Sequence, residues 1–448
     1  MRITDEKGYS TGACATGEEC KKIDDLYPKT PFTKEMKKTH TILIPSMLPI
    51  HFRLLDHIFK QSGYNTVVLK GEKQHCIDAG LKYVHNDTCY PALIVIGQLM
   101  EALLSGEYDL NKTAVMIIQT GGGCRASNYY FLLRKALINA GMQNVPVISV
   151  NLSGMNSNPG FKITLPMLRR AAAAIIYGDL MMQLSNQTRP YEVNKGQTED
   201  VITECVQYIS DIFDKGKGIS VKEIRENLLY MAELFKVIPI ERTQKVKAGV
   251  VGEVFVKYSP IANNNLEGFL AEQDCEVVVP GVTGFMLFKI DNRLEDIRLY
   301  GGNQAMYKGI MILFNYMTKV ETILIDVCKG LEGFSAPSSY AHIKSLAAPV
   351  IGSGCKMGEG WWLTGEIIEL IEQGCPNIVC TQPFGCLPNH IVAKGMIRKL
   401  RSLYPNSNVV AIDYDPGATK VNQENRIKLM LAMAKEQAEP APAALRCP

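Results

Sequence analysis

Hydrophobic positions along the chain come in two alternating textures. Short apolar runs rich in β-branched residues read as buried strands: "HTILIPSM" (40–47), "NTVVLKG" (65–71), "TAVMIIQT" (113–120) and "VPVISVN" (145–151). Between them lie longer stretches of helical character, "IHFRLLDHIFKQSG" (50–63), which ends at a glycine that signals a C-cap, "CYPALIVIGQLMEALLSG" (89–106) and "NYYFLLRKALINAG" (128–141). Strands alternating with helices predict a parallel sheet covered on both faces. From about Pro159 to Val237 the pattern turns helical, through "LPMLRRAAAAIIYGDLMMQL", "DVITECVQYISDIFD" and "VKEIRENLLYMAELF". Alternation is expected to resume at "KAGVVGEVFV" (247–256) and to run on to a frayed tail, "EQAEPAPAALRCP". The predicted organisation is an N-terminal arm (1–39), a first α/β lobe (40–158), a helical segment (159–245), a second α/β lobe (246–436) and a flexible tail (437–448).

The two lobes repeat one another. "GQLMEALLSG" (97–106) parallels "GEIIELIEQG" (365–374), and each leads into a strand, "TAVMIIQT" or "NIVCTQ". Each strand ends in a loop with glycine beside cysteine, "GGGC" or "FGC". Each loop opens a helix, "FLLRKAL" or "GMIRKL", and a further strand follows, "NVPVISVN" or "NVVAIDYD". Cys124 and Cys386 are therefore expected at equivalent places, at the carboxyl edge of the strands where open α/β sheets bind ligands. Cys89, at the start of the helix before Gly97, shares that edge, and Cys355 lies close to the matching start in the second half.

Composition narrows the choices. The chain has 448 residues, 46% of them hydrophobic and 21% charged, with a net charge of +3. That balance gives no field strong enough to imply nucleic acid as a partner. No apolar run approaches the roughly 18 residues of a membrane span, and "MRITDEKGYST" lacks the apolar core of a secretory signal. A cytoplasmic location is expected. Thirteen cysteines in a reducing compartment point to metal or redox chemistry rather than disulfides. Cys76, Cys205, Cys275, Cys375 and Cys328 sit within apolar or helical patterns and read as small hydrophobes.

Two lobes facing each other across a cleft would bring several thiolates together. The spacing C-x5-C occurs twice, at Cys14 with Cys20 and at Cys380 with Cys386, and no tight CxxC knuckle is present. An iron–sulfur cluster is the leading reading of these thiols; zinc and unliganded thiols remain open. Short loops containing Gly123 and Gly385 let backbone amides approach cluster sulfurs, and helix starts near Arg125 and Asn389 favour negative charge.

The segments "FTKEMKKTHTILIPSMLPIHF", "GLKYVHNDTCYPALIVIGQ", "QTGGGCRASNYY", "NLSGMNSNPGFKITLP", "GEGWWLTGEI", "CTQPFGCLPNHIVAKG" and "AIDYDPGATKVNQENRIKLML" resemble the 2-hydroxyacyl-CoA dehydratase superfamily. The resemblance covers nearly the whole chain and is nearest to the double-cubane cluster proteins, including the region that follows the ATPase modules of large activase-related proteins. It implies two Rossmann-like (flavodoxin-like) lobes with parallel sheets and iron–sulfur chemistry in the cleft between them. It implies an ATP-hydrolysing activator, itself carrying a [4Fe-4S] cluster, as the donor of low-potential electrons. It further implies either an [8Fe-9S] double cubane that reduces small molecules or a [4Fe-4S] cluster that serves dehydration of a 2-hydroxyacyl-CoA. Matched motif by motif, the cluster triad maps to Cys89, Cys124 and Cys386. A second cubane would draw on Cys380, by its position, and on Cys14 and Cys20, since the resemblance extends through "GYSTGACATGEEC"; Cys355 and Cys328 are the alternatives.

Other polar residues have dual readings. Glu359 and His390 are candidate proton donors to a reduced substrate; Glu359 could equally cap the helix starting at Trp361, and His390 could satisfy a loop carbonyl. Arg125 could bond the cluster or a substrate anion, or pair with a carboxylate. Asp413 and Asp415 in "DYDPG" are expected to shape a turn. "TGGGC" lacks the GxxxxGK[ST] pattern, so no ATP site is expected here and the ATPase belongs to another chain. A cluster-bearing reductase or dehydratase component, most simply a homodimer, stands against a non-catalytic electron carrier.

Overall fold

The computed structural model describes residues 29–85, 87–120, 123–150 and 158–438. The protein is α/β, with two four-stranded parallel sheets. The first holds β1 (Thr41–Ile44), β2 (Asn65–Val68), β3 (Thr113–Ile118) and β4 (Val147–Val150); the second holds β5 (Val246–Gly252), β6 (Cys275–Val278), β7 (Asn377–Pro383) and β8 (Asn408–Tyr414). Their orders are β2-β1-β3-β4 and β6-β5-β7-β8, the same path traced twice. This is the order of flavodoxin-like sheets, whose ligand crevice opens where the strand order reverses, here between β1 and β3 and between β5 and β7. The architecture is compatible with two Rossmann-like lobes.

Local chemistry explains the strand limits. β1 stops at Ile44 because Pro45 has no N–H to give the ladder. All seven residues of β7 are buried, as a central parallel strand covered on both faces requires. Between the sheets the chain forms helices Leu165–Thr188, Gln197–Asp214 and Val221–Lys236. The last starts with a capping box, in which the Ser220 hydroxyl accepts from Glu223 N while the Glu223 carboxylate accepts from Ser220 N. These helices pack with one face of the first sheet and with the buried half of helix Gln304–Lys329 in one apolar cluster. A second cluster runs continuously from β3 and helix Tyr90–Leu104 to β5 and β6. No helix among the described residues is long and apolar enough to cross a membrane.

The structure departs from simple alternation after β6. Four helices intervene before β7: Val282–Tyr300, Gln304–Lys329, Tyr340–Ala347 and Trp361–Glu372. The apolar residues of "MTKVETILIDVC" recur at spacings of three and four and bury Met317, Val320, Leu324 and Cys328; short-strand patterning does not describe them. Helix Lys73–Tyr83, unassigned from the pattern, buries Cys76, Ile77, Ala79 and Gly80.

One buried carboxylate ties these parts together. Asp179, on helix Leu165–Thr188, pairs with His51 Nε2 at 2.9 Å and accepts from Val282 N at 2.9 Å, Thr283 N at 2.8 Å and the Thr283 hydroxyl at 2.5 Å. Burial raises its pKa, but the bonds from His51 and Thr283 outweigh it and hold the group below the ordinary value. A carboxylate with a lowered folded-state pKa contributes stability above its unfolded value and loses it as the pH falls through the folded value. Asp179→Asn is therefore expected to lower the unfolding free energy near pH 7 by about 3–5 kcal/mol. Denaturant titrations should show that deficit narrowing below about pH 4, where the wild-type protein loses what the variant already lacks.

Candidate functional site

Four loops deliver polar groups to the switch-point edges of the two sheets. Cys89 is the residue before helix Tyr90–Leu104. Cys124 follows β3 and opens a short 3-10 turn, Arg125–Asn128. Glu253 follows β5 and precedes helix Val254–Tyr258. Cys386 follows β7 and precedes helix Leu387–Val392. A fifth segment, Met357–Glu359, lies just ahead of helix Trp361–Glu372.

Backbone contacts join the two sets of loops. Tyr90 N donates to Phe384 O at 2.9 Å, and the Tyr90 hydroxyl donates to Ala262 O at 3.0 Å. Gly385 has φ +69°, and a β-carbon there would sit 3.1 Å from Cys89 Cα and 3.3 Å from Thr88 O. Both the turn and the close approach call for glycine. Gly123 is exposed, and a β-carbon on it would collide with Met357 Sδ. Gly123 and Gly385, read from the sequence as cluster approaches, thus serve here as close contacts between loops.

The structure brings Cys89, Cys124 and Cys386 into one electrostatic neighbourhood with Glu253 and Glu359. Cys89 and Cys386 are buried, as are both glutamates, and Cys124 is half-buried. Burial raises the Cys124 thiol to about 11; Ala126 N–H opposes the shift, while Glu359, Glu253 and Cys89 add to it. Burial likewise drives the Cys386 thiol far up, reinforced by Glu359, Glu253 and Cys124. Cys89 is raised by burial, against a 3.1 Å contact between its sulfur and the Tyr129 hydroxyl. Glu253 is held well above the usual carboxylate range by burial and by Glu359 beside it. Burial, reinforced by the neighbouring acids, therefore raises the three thiols and Glu253 together.

The glutamates are fixed by backbone amides. Glu253 Oε2 accepts from Val256 N at 2.9 Å, and Glu359 Oε1 accepts from Val254 N at 3.2 Å. Glu359 makes no side-chain cap on the helix at Trp361; it serves the neighbouring helix Val254–Tyr258 instead. Lys289 bonds Gly358 O and lies near Glu359 and Cys124, its own pKa lowered by burial and pulled back up by those two groups. The Thr88 hydroxyl, next to Cys89, is buried without a hydrogen-bond partner.

The remaining candidates are placed variously, Arg125 close enough to lower the Cys89 thiol and others in the core or outside the described residues. Cys380 is fully buried among Val251, Ile367, Ile378 and Val392, with its thiol 3.7 Å from Asn389 Oδ1. Its charged neighbours are Asp413, Glu366 and Lys394 rather than other thiols. The five-residue spacing is thus met by a core sulfur within β7 and a loop sulfur beyond it. Cys14 and Cys20 fall outside the described residues. Cys355 is exposed, and its carbonyl accepts from Trp361 N at 2.6 Å. His390 is exposed on helix Leu387–Val392, with its backbone N–H on Cys386 O at 3.1 Å. Arg125 is exposed and donates to Asp87 O at 3.3 Å. Asp415 shapes a turn by accepting from Gly417 N at 2.7 Å, whereas Asp413 pairs with Lys394 and Arg426. Cys76, Cys205, Cys275, Cys328 and Cys375 are all buried.

Glu253, Lys289 and Tyr129 were not expected from the sequence. Glu253 had a usable signal, because it is an acid directly after a strand at the binding edge. Lys289 had none, since helix Val282–Tyr300 has no counterpart in the first sheet.

Among the described residues no three His, Cys, Asp or Glu side chains are grouped to hold a single metal ion. A polynuclear cluster spreads its ligands over several metal corners, so the donor set is the pertinent test. Three soft sulfur donors brought together beside two buried acids fit a thiophilic cationic group. No family model and no curated protein matches the chain.

Gly385→Ala is expected to destabilise the protein by about 1–3 kcal/mol, since it forces a β-carbon into a left-handed turn against Cys89. Urea unfolding of the variant against the wild type measures this.

Proposed function

We propose that the protein is an iron–sulfur reductase of the double-cubane type. In this reading it takes low-potential electrons from a partner ATP-hydrolysing activator and passes them to small molecules. The observation that carries it is the convergence of Cys89, Cys124 and Cys386 from loops at the switch points of two like sheets, with the resemblance in sequence motifs as the second support. Cys89, Cys124 and Cys386 would hold the cluster as thiolates, and when bound it would supply one-electron reducing chemistry. The chain's own residues do the rest. Tyr129 hydrogen-bonds the Cys89 sulfur, the Ala126 amide faces Cys124 Sγ at 3.4 Å, and the turn at Gly385 packs its backbone against Cys89. Glu359 and Glu253 stand where a proton could be held next to a reduced substrate.

A second reading is favoured by one observation. Two joined cubanes want about six thiolates, and Cys380, one of the six assigned, faces the core. Three thiols suit one [4Fe-4S] cluster, as in a 2-hydroxyacyl-CoA dehydratase component or an electron carrier. The metal count separates the readings.

Protein made without oxygen should be brown and lose its colour in air. Iron and acid-labile sulfide assays should give about eight irons per chain for the joined pair and about four for a single cubane. Cys124→Ala and Cys386→Ala should each lose most of the iron. Cys205→Ala should lose none and cost about 1 kcal/mol in packing. Equal iron in all three variants, or a folded, active, iron-free wild type, rejects the reading.

Turnover should also depend on the partner. With dithionite alone the protein is expected to reduce substrates slowly or not at all. Adding a two-fold [4Fe-4S] activator with ATP should switch turnover on, docked over the cluster and matched by a homodimer of this chain. Full activity from dithionite, indifferent to activator and ATP, would point to an ordinary reductase.

A further inference from the structure

Charge at the site is lopsided, and two cations among the described residues act against it, Arg125 on Cys89 and Lys289 on Cys124 and Glu359. Three thiols and two glutamates face one another, and the cation reaching them most deeply is Lys289. It comes from helix Val282–Tyr300, the first helix of the insert between β6 and β7. Its ammonium group donates to Gly358 O, and it lies 5.1 Å from the Phe285 ring centre and 5.4 Å from that of Phe288. Both rings confine the side chain and leave it little rotamer freedom. Glu359 and Cys124 are the groups that act on it electrostatically from the site; Arg293, on its own helix, is the other charge it feels. The segment it grips is the one whose Gly358 packs on Pro388 and beside Cys124, and whose Met357 covers Gly123. Arg125, the other cation at this edge, is exposed and screened by solvent.

We propose that Lys289 is a positioning residue that sets the reduction potential of the cluster held by Cys89, Cys124 and Cys386. The inference rests on the iron–sulfur reading of those thiols. A fixed positive charge near a cluster stabilises the state with one more electron, and the effect is large where water is excluded. The hydrogen bond to Gly358 O gives the same side chain a mechanical role, because it holds Glu359 and the neighbouring loop against Cys124. Charge and grip are separable by substitution. Glutamine keeps a donor for Gly358 O and removes the charge, whereas arginine keeps the charge.

The experiment is a redox titration of the anaerobically loaded protein, followed by its visible and electron paramagnetic resonance spectra. Dithionite gives up one electron to the cluster at each step and is itself oxidised, and no bond in the protein is made or broken. Iron and sulfide are counted first. Lys289→Gln should hold as much iron as the wild type. Its equilibrium constant for reduction should fall by about tenfold, a midpoint lower by about 59 mV for one electron. Lys289→Arg should return most of the shift. A wild-type potential in Lys289→Gln overturns the proposal, and so does an equal shift in both variants. If Lys289→Gln sheds iron that the wild type keeps, Lys289 is a scaffold residue and the proposal fails while the site reading stands. An iron-free wild type overturns the site reading and this inference with it.

Discussion

Everything in the molecule is referred to the Asp179 carboxylate. A charge buried in the middle of a protein is tolerable only when every lone pair is answered. Asp179 is answered by His51 from the first α/β half and by Val282 and Thr283 from the second. Its own helix belongs to the segment between them, so three parts of the chain must agree in position to within a hydrogen bond. The buried Lys257–Glu366 pair at 2.8 Å plays a similar part within the second half: it fixes helix Val254–Tyr258, which follows Glu253, to helix Trp361–Glu372, which follows Glu359. The spacing of the two glutamates is thereby supported by an ion pair about one turn from Glu253 and about two turns from Glu359.

Against that rigid frame the thiol site is under electrostatic tension. Burial alone keeps thiols protonated, and adjacent acids intensify the effect at Cys124 and Cys386. Hydrogen bonds to the sulfurs come from Tyr129 and the Ala92 amide on Cys89, the Ala126 amide on Cys124 and the Asn389 amide on Cys386. A packed protein does not place like groups together without an advantage elsewhere, and the advantage proposed here is affinity for a cationic cluster.

Much of this was legible in the sequence, for physical reasons. Parallel strands covered on both faces must be continuously apolar, so "TAVMII" and "NIVC" announced themselves. The paired motifs around Cys124 and Cys386 foretold two like halves with these residues at equivalent strand ends, and the strand order itself came only with the structure. Cys380 misled because spacing along a chain says nothing about which face of a strand a side chain takes; within β7 its sulfur turns to the core. Glu359 was read either as a proton donor or as a cap on its own helix; the cap is not made, and its carboxylate accepts instead from Val254 N, on a helix earlier in the chain. Lys289 and the long hairpin that carries it were hidden because their amphipathic period interrupts the α/β alternation, and which loop a long side chain reaches is decided only in the packed structure.

The bond from Tyr90 N to Phe384 O has an implication for synthesis. The first amides of a helix have no partner within it, and here one of them is satisfied by a carbonyl encoded far downstream. While the chain emerges from the ribosome, the first sheet and its helices can assemble, but the end of helix Tyr90–Leu104 that carries Cys89 stays frayed until the loop after β7 arrives. Maturation of the thiol site is therefore a late event by construction, reserved for the finished polypeptide.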